Sequence, residues 1–116
     1  MQFVFDNERP IYIQLVEQLQ KQIISGKINP GEKLPSVRDL ALLTKVNPNT
    51  MQRALTELED LRLIYTERTN GKFVTKDNGL IKKYKDKFAK EKTKKYLQEM
   101  KELGINGDDV IQFIKN

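Results

Sequence analysis

The sequence predicts a mainly α fold with a small β-hairpin (α+β), followed by a short helical tail. Three observations carry that prediction. Apolar residues recur at helical spacing in three separate stretches before residue 60. Two strand-like runs, LIYTER and KFVTK, then flank a Thr-Asn-Gly turn. Beyond residue 77 the chain turns lysine-dense and carries a second set of helically spaced apolar positions. The expected division is 1–76 and 77–116.

The first region opens with an extended arm over residues 1–9, where Phe3, Val4 and Phe5 are candidate anchors. Pro10 opens the first helix, a favoured place for proline. Tyr12, Leu15, Val16, Leu19 and Ile23 give it one apolar face, and Gly26 suits its C-terminal cap. KINPGEKLPS is a turn-rich connection with a tight turn at Pro30-Gly31. Ser36 caps a short second helix, with Val37, Leu40 and Ala41 facing inward. The third helix has Asn47 as its cap and Pro48 in its first position. Met51, Ala54, Leu55 and Leu58 form its buried stripe, and Asn49, Thr50, Gln52, Arg53 and Thr56 its other face. Two short helices joined by a tight turn around Val46 are a helix-turn-helix. With the hairpin that follows, whose Asn70-Gly71 is a strong turn signal, the order is that of a winged helix-turn-helix.

In the tail, KDNG reads as a linker and Leu80 to Leu103 as one long helix. Gly104 and Gly107 break it, and a last helix runs from Asp108 to Lys115. A helix of this kind cannot bury its apolar face alone. Ile81, Tyr84, Phe88, Tyr96, Leu97, Met100 and Leu103, with Ile111 and Ile114 of the last helix, are therefore the candidate dimerisation residues. The lysine run from Lys82 to Lys95 reads as the solvated outer face of that helix.

Composition bounds the chemistry. The chain has 116 residues, 38% hydrophobic and 32% charged, enough for a modest core but not for a separate effector domain. Its net charge of +5 favours polyanions. With neither cysteine nor histidine, disulfides, thiolate metal sites and Cys- or His-based catalysis are excluded. No paired-carboxylate or phosphate-cradling motif is present, so neither an enzyme nor a cofactor is expected. No apolar run approaches the roughly 20 residues of a membrane span. MQFVFDNERP lacks the pattern of a signal peptide, and the expected compartment is the cytoplasm.

The polar head of the third helix fits the major groove of DNA. The groove admits one α-helix, and the first turn of that helix lies nearest the base edges. Asn49, Thr50 and Gln52 are small enough to approach bases or phosphates. Arg53 suits either a guanine or a phosphate. Arg38 can reach the adjacent backbone or groove edge. Arg68, Thr69, Asn70 and Lys72 at the hairpin tip suit a wing on the minor groove. A twofold dimer would present two such helices to a palindromic operator.

The stretch from Arg9 to Val74, above all PGEKLPSVRDLA and VNPNT with RAL and LE after it, resembles the DNA-binding domain of GntR-family transcription regulators. The reduced tail and the Asn-Pro-Asn-Thr helix head resemble the YtrA subfamily. The resemblance implies dimeric bacterial repressors of double-stranded DNA operators, often of ABC-transporter operons. By position it implies DNA contacts at Ser36, Arg38, Asn49, Thr50, Gln52 and Arg53, and at Gly71 on the wing. Two residues depart from the family pattern. Arg62 stands in place of a glycine after the recognition helix, a cost of about 1 kcal/mol if its backbone is left-handed. Thr69 replaces the first glycine of the wing. Nothing encodes a recognisable effector pocket. Two other readings share the winged helix: a structural or replication role on DNA, and a protein-interaction module with little affinity for duplex.

Overall fold

The computed structural model describes residues 2–116, in the order α1 (Ile11–Ile24), α2 (Val37–Thr44), α3 (Pro48–Asp60), β1 (Ile64–Glu67), β2 (Gly71–Val74), α4 (Asn78–Glu102) and α5 (Gly107–Lys115). Two compact units divide the chain, the first ending at Lys82 and the second running from Lys83 to Asn116.

In the first unit α1 and α2 both pack on α3, and the hairpin follows α3 directly. The periodicity of each helix explains which side is hidden. Leu15, Val16, Leu19 and Ile23 of α1, Leu40 and Ala41 of α2, and Met51, Ala54, Leu55 and Leu58 of α3 are all buried. Val37 is only half-buried, while Leu42 and Leu43 point to solvent. Pro10 is the N-cap of α1, one residue earlier than the first-position role expected of it.

Of the three expected anchors of the arm, Phe3 and Phe5 are half-buried and stack with ring centroids 6.3 Å apart, but Val4 is not an anchor. Val4 is 81% exposed, and hydrogen bonds to α1 hold the backbone of the arm there. Gln18 Nε2 donates to the Val4 carbonyl at 2.7 Å, and the Val4 amide donates back to Gln18 Oε1 at 3.0 Å. Buried Gln14 donates to the carbonyls of Asp6 and Arg9 and accepts from the Asp6 amide. Backbone groups freed from water thus find side-chain partners on α1. Met1 lies outside the described residues.

The connection between α1 and α2 does more than turn. Gly31, at φ +78°, closes a turn in which the Glu32 amide donates to the Asn29 carbonyl. The segment then pairs with β2: Leu34 N–H donates to the Lys72 carbonyl at 2.8 Å and Val74 N–H to the Glu32 carbonyl at 2.9 Å. Lys33 and Phe73 form an antiparallel bridge there.

Both α3 and α4 end in the same motif. After α3 the Arg62 amide donates to the Glu59 carbonyl and the Leu63 amide to the Leu58 carbonyl, with Arg62 left-handed at φ +64°. After α4 the Gly104 amide donates to Lys101 and the Ile105 amide to Met100, with Gly104 at φ +82°. These are Schellman caps, which satisfy carbonyls that the helix leaves open.

The linker is shorter than expected. Helix α4 begins at Asn78, because the Asp77 carboxylate accepts from the Leu80 amide at 3.0 Å and caps it. Gly107 opens α5 instead of only interrupting the chain. In the second unit Val110 is buried, whereas Tyr96, Leu97, Leu103, Ile111, Phe113 and Ile114 remain exposed. Ile81, Tyr84, Phe88 and Met100 are half-buried. No described helix is long and apolar enough to cross a membrane.

Candidate nucleic-acid interface

Helix α3 builds the interface from its first turn. Asn47 Oδ1 accepts from the Asn49 amide at 2.8 Å, and Pro48 occupies a position whose amide would have no partner in the helix. Asn49, Gln52 and Arg53 are exposed and Thr50 half-exposed, on the side opposite Met51, Ala54 and Leu55. Gln52 Nε2 donates to Thr56 Oγ1 at 3.2 Å, an i, i+4 bond along the outer face. The acids of α3, Glu57, Glu59 and Asp60, fall at its far end. The first two turns therefore carry no acidic side chain that would repel a polyanion.

Arg53 is positioned by a residue that sequence reading missed. Its guanidinium carbon lies 3.6 Å from the centroid of the Tyr12 ring on α1. A cation over a ring face is held electrostatically and loses less freedom on binding. The pair is far apart in sequence, so periodicity gave Tyr12 only a place on the apolar face.

Helix α2 brings Ser36 and Arg38 to the surface. Ser36 Oγ accepts from the Asp39 amide at 3.1 Å, so its hydroxyl serves as the helix cap. Arg38 is exposed. The turn between α2 and α3 uses Lys45 in a left-handed conformation, φ +57°.

The wing closes differently from its sequence signal. The Asn70 amide donates to the Glu67 carbonyl, which puts Arg68 and Thr69 at the tip. Asn70 Nδ2 also reaches Glu67 Oε2 at 3.1 Å. Gly71, at φ +101°, starts β2 opposite Glu67 and is not a turn centre. A Cβ there would lie 3.4 Å from Lys33 Cε, so the Lys33 side chain runs beside the wing. Arg68, Thr69 and Asn70 are exposed.

Lys72 is drawn away from the tip. Its ammonium pairs with the Glu59 carboxylate at the end of α3 and donates to Thr66 Oγ1 at 2.9 Å. Thr66 in turn donates to Glu59 at 3.0 Å. Burial alone would raise the Glu59 carboxyl, but hydrogen bonds from Lys72 and Thr66 and the charge of Lys72 outweigh it. The carboxyl sits below its ordinary value, and the cluster ties both strands of the wing to α3. A stack of Tyr65 on Phe73, centroids 5.6 Å apart, stiffens the same hairpin.

Among the described residues no group of acids could hold a metal. What remains is a helix-turn-helix with a polar leading helix, and its pattern matches a family. Residues 11–74 match the family described as "Bacterial regulatory proteins, gntR family". The chain belongs to the GntR family. It is a DNA-binding transcriptional regulator and not an enzyme. Its likeness to GntR-family proteins extends through the tail. It is 38% identical to the HTH-type transcriptional regulator YhcF of Bacillus subtilis, over 96% of this chain and 92% of that protein. It is 33% identical to the HTH-type transcriptional repressor YtrA of the same organism, over 91% of this chain and 82% of YtrA. A solved GntR family transcriptional regulator from Listeria monocytogenes superposes with a TM-score of 0.89 at 42% identity, covering 96% of this chain and 97% of that one.

Proposed function

We propose that this GntR-family chain is a cytoplasmic homodimeric repressor that reads a palindromic operator with two copies of α3. The observation that carries the reading is the division of α3: Met51, Ala54, Leu55 and Leu58 wholly buried, with Asn49, Gln52 and Arg53 open to a groove. Ser36, Arg38 and the N-terminus of α3 hold the flanking phosphates, and Arg68, Thr69, Asn70 and Gly71 lie along the minor groove. The exposed Tyr96, Leu97, Leu103, Ile111 and Ile114 supply the dimer contact. Likeness to a protein named a repressor supports repression, and the resemblance to YtrA-like regulators makes an ABC-transporter operon the first target to test.

Selection of bound genomic fragments with purified protein tests the reading. It should return a palindrome upstream of a regulated operon. Arg53→Ala, Asn49→Ala and Arg38→Ala should each weaken binding to that fragment. Unchanged gel shifts for all three would refute the docking. Removing the residues after Asp77 should yield a monomer by sedimentation, and a truncated protein that stays dimeric would refute the dimer.

A further inference from the structure

The positive charge of the chain is not concentrated in the helix-turn-helix. Between Lys82 and Lys95 stand eight lysines against Asp86 and Glu91, a net of +6. The whole chain carries +5, so everything outside that segment sums to −1. The basic balance that points to a polyanion belongs to α4.

Five lysines of α4 share one side. Lys83, Lys87, Lys90, Lys94 and Lys101 follow steps of four, three, four and seven, which return to the same face of an α-helix. All five are exposed, and among the described residues none pairs with a carboxylate. Ile81, Tyr84, Phe88, Tyr96 and Met100 fall on other sides, with Leu80 and Leu97 at the two edges of the stripe. A second copy covering the apolar residues would leave the lysines in water. Like charges at these spacings destabilise a helix, and a polyanion laid along the stripe removes that repulsion.

We propose that this stripe is a second DNA contact, a sequence-independent grip on phosphates of duplex outside the half-site read by α3. It rests on the DNA-binding reading above. Its length suits the duplex: Lys83 to Lys101 spans about 27 Å at 1.5 Å per residue, and a duplex offers one phosphate charge per roughly 1.7 Å. Lysine, a mobile point charge, grips phosphate without reading bases. An acidic bilayer is the poorer fit, because a membrane-surface helix inserts apolar side chains beside its basic ones. The lysine side offers only Leu80 and Leu97, one at each margin.

The test uses the full chain with all five lysines changed to glutamine, and a duplex of arbitrary sequence about 30 base pairs long. Binding is followed by fluorescence anisotropy against salt concentration. The slope of log affinity on log salt should shrink by about 0.9 for each lysine engaged, at least about 2 in total. An unchanged slope overturns the proposal. The matching lysine-to-arginine variant keeps the charge and should keep the slope; if it loses binding as the glutamine variant does, the effect is structural and the proposal falls. It also falls if the glutamine variant binds duplex normally but no longer floats with phosphatidylserine vesicles. Arg53→Ala separates the two readings: it should lose preference for the operator while keeping the arbitrary-duplex slope. Retained preference in that variant counts against α3, whatever the lysine variant does.

Discussion

Among the described residues, fifteen of the sixteen buried apolar side chains lie at or before Val74, and only Val110 belongs to the unit beyond Lys82. Large exposed apolar residues run the other way: Val4, Leu42 and Leu43 in the first unit, six from Tyr96 to Ile114 in the second. The first unit closes a core on itself, so its polar helix face is free for recognition. The second has helices but almost no core, and such helices gain their stability from packing against something else. On the proposed function, the first unit reads DNA and the second is covered by a second copy.

The largest effect that separates them is a leucine truncation made in each. Leu55→Ala removes a wholly buried side chain from the centre of α3 and should cost about 3 kcal/mol in chemical denaturation. Leu103→Ala, at a residue 74% exposed, should change intrinsic stability by less than about 0.5 kcal/mol. Its cost should appear instead as weaker self-association in ultracentrifugation. Equal losses of stability at the two sites would erase the contrast.

Caps give a smaller effect of the same kind. Asn47 and Asn106 both stand at helix N-termini, but only Asn47 accepts a bond from the helix with its side chain. Asn47→Ala should lower the thermal midpoint by the equivalent of about 1 kcal/mol. Asn106→Ala should leave it within about 0.3 kcal/mol, since α5 loses no cap bond. A matched loss at Asn106 would show that its side chain caps α5 in solution.

What could be read from the residues follows the range of the interactions. The buried stripe of α3, the Asn47-Pro48 head and the cap at Ser36 were legible because each joins residues within a turn or two. The stack of Arg53 on Tyr12, the bridge of Lys33 to Phe73 and the pairing of Lys72 with Glu59 were not. Each joins elements that only the fold brings together. Lys72 shows the consequence for the candidate interface: hairpin spacing put it at the tip, and a carboxylate on another element turned it inward. The Asn70-Gly71 signal gave the right hairpin with the wrong turn centre, because Glu67 takes both Asn70 donors. Composition was informative in sign but not in place, since the excess charge lies in α4.

The Glu59–Lys72 pair gives the first unit a pH-dependent contribution to stability. The folded-state carboxyl lies below its ordinary value of 4.5. Its contribution is therefore complete above about pH 4.5 and is lost as pH falls through the lowered folded value. Both groups are partly exposed, so Glu59→Gln should cost only about 0.5–1 kcal/mol at neutral pH. The gap between wild type and variant should close on acidification below about pH 4.5. A gap that persists unchanged at lower pH would assign the loss to packing rather than to charge.

The smallest effect compares one motif in the two units. Arg62 and Gly104 occupy equivalent positions of Schellman caps, both left-handed, yet only one is glycine. A side chain costs about 1 kcal/mol in that conformation, and glycine adds freedom to the unfolded chain that offsets part of the relief. Arg62→Gly should therefore raise the denaturation midpoint by the equivalent of about 0.5 kcal/mol. Gly104→Ala should lower it, although a Cβ at Gly104 meets nothing within 4 Å, because the penalty is in the backbone and not in crowding. Opposite shifts at the two caps would show that the residue after α3 is strained where the one after α4 is relaxed. A lowered midpoint for Arg62→Gly would mean that the arginine side chain contributes more there than its backbone costs.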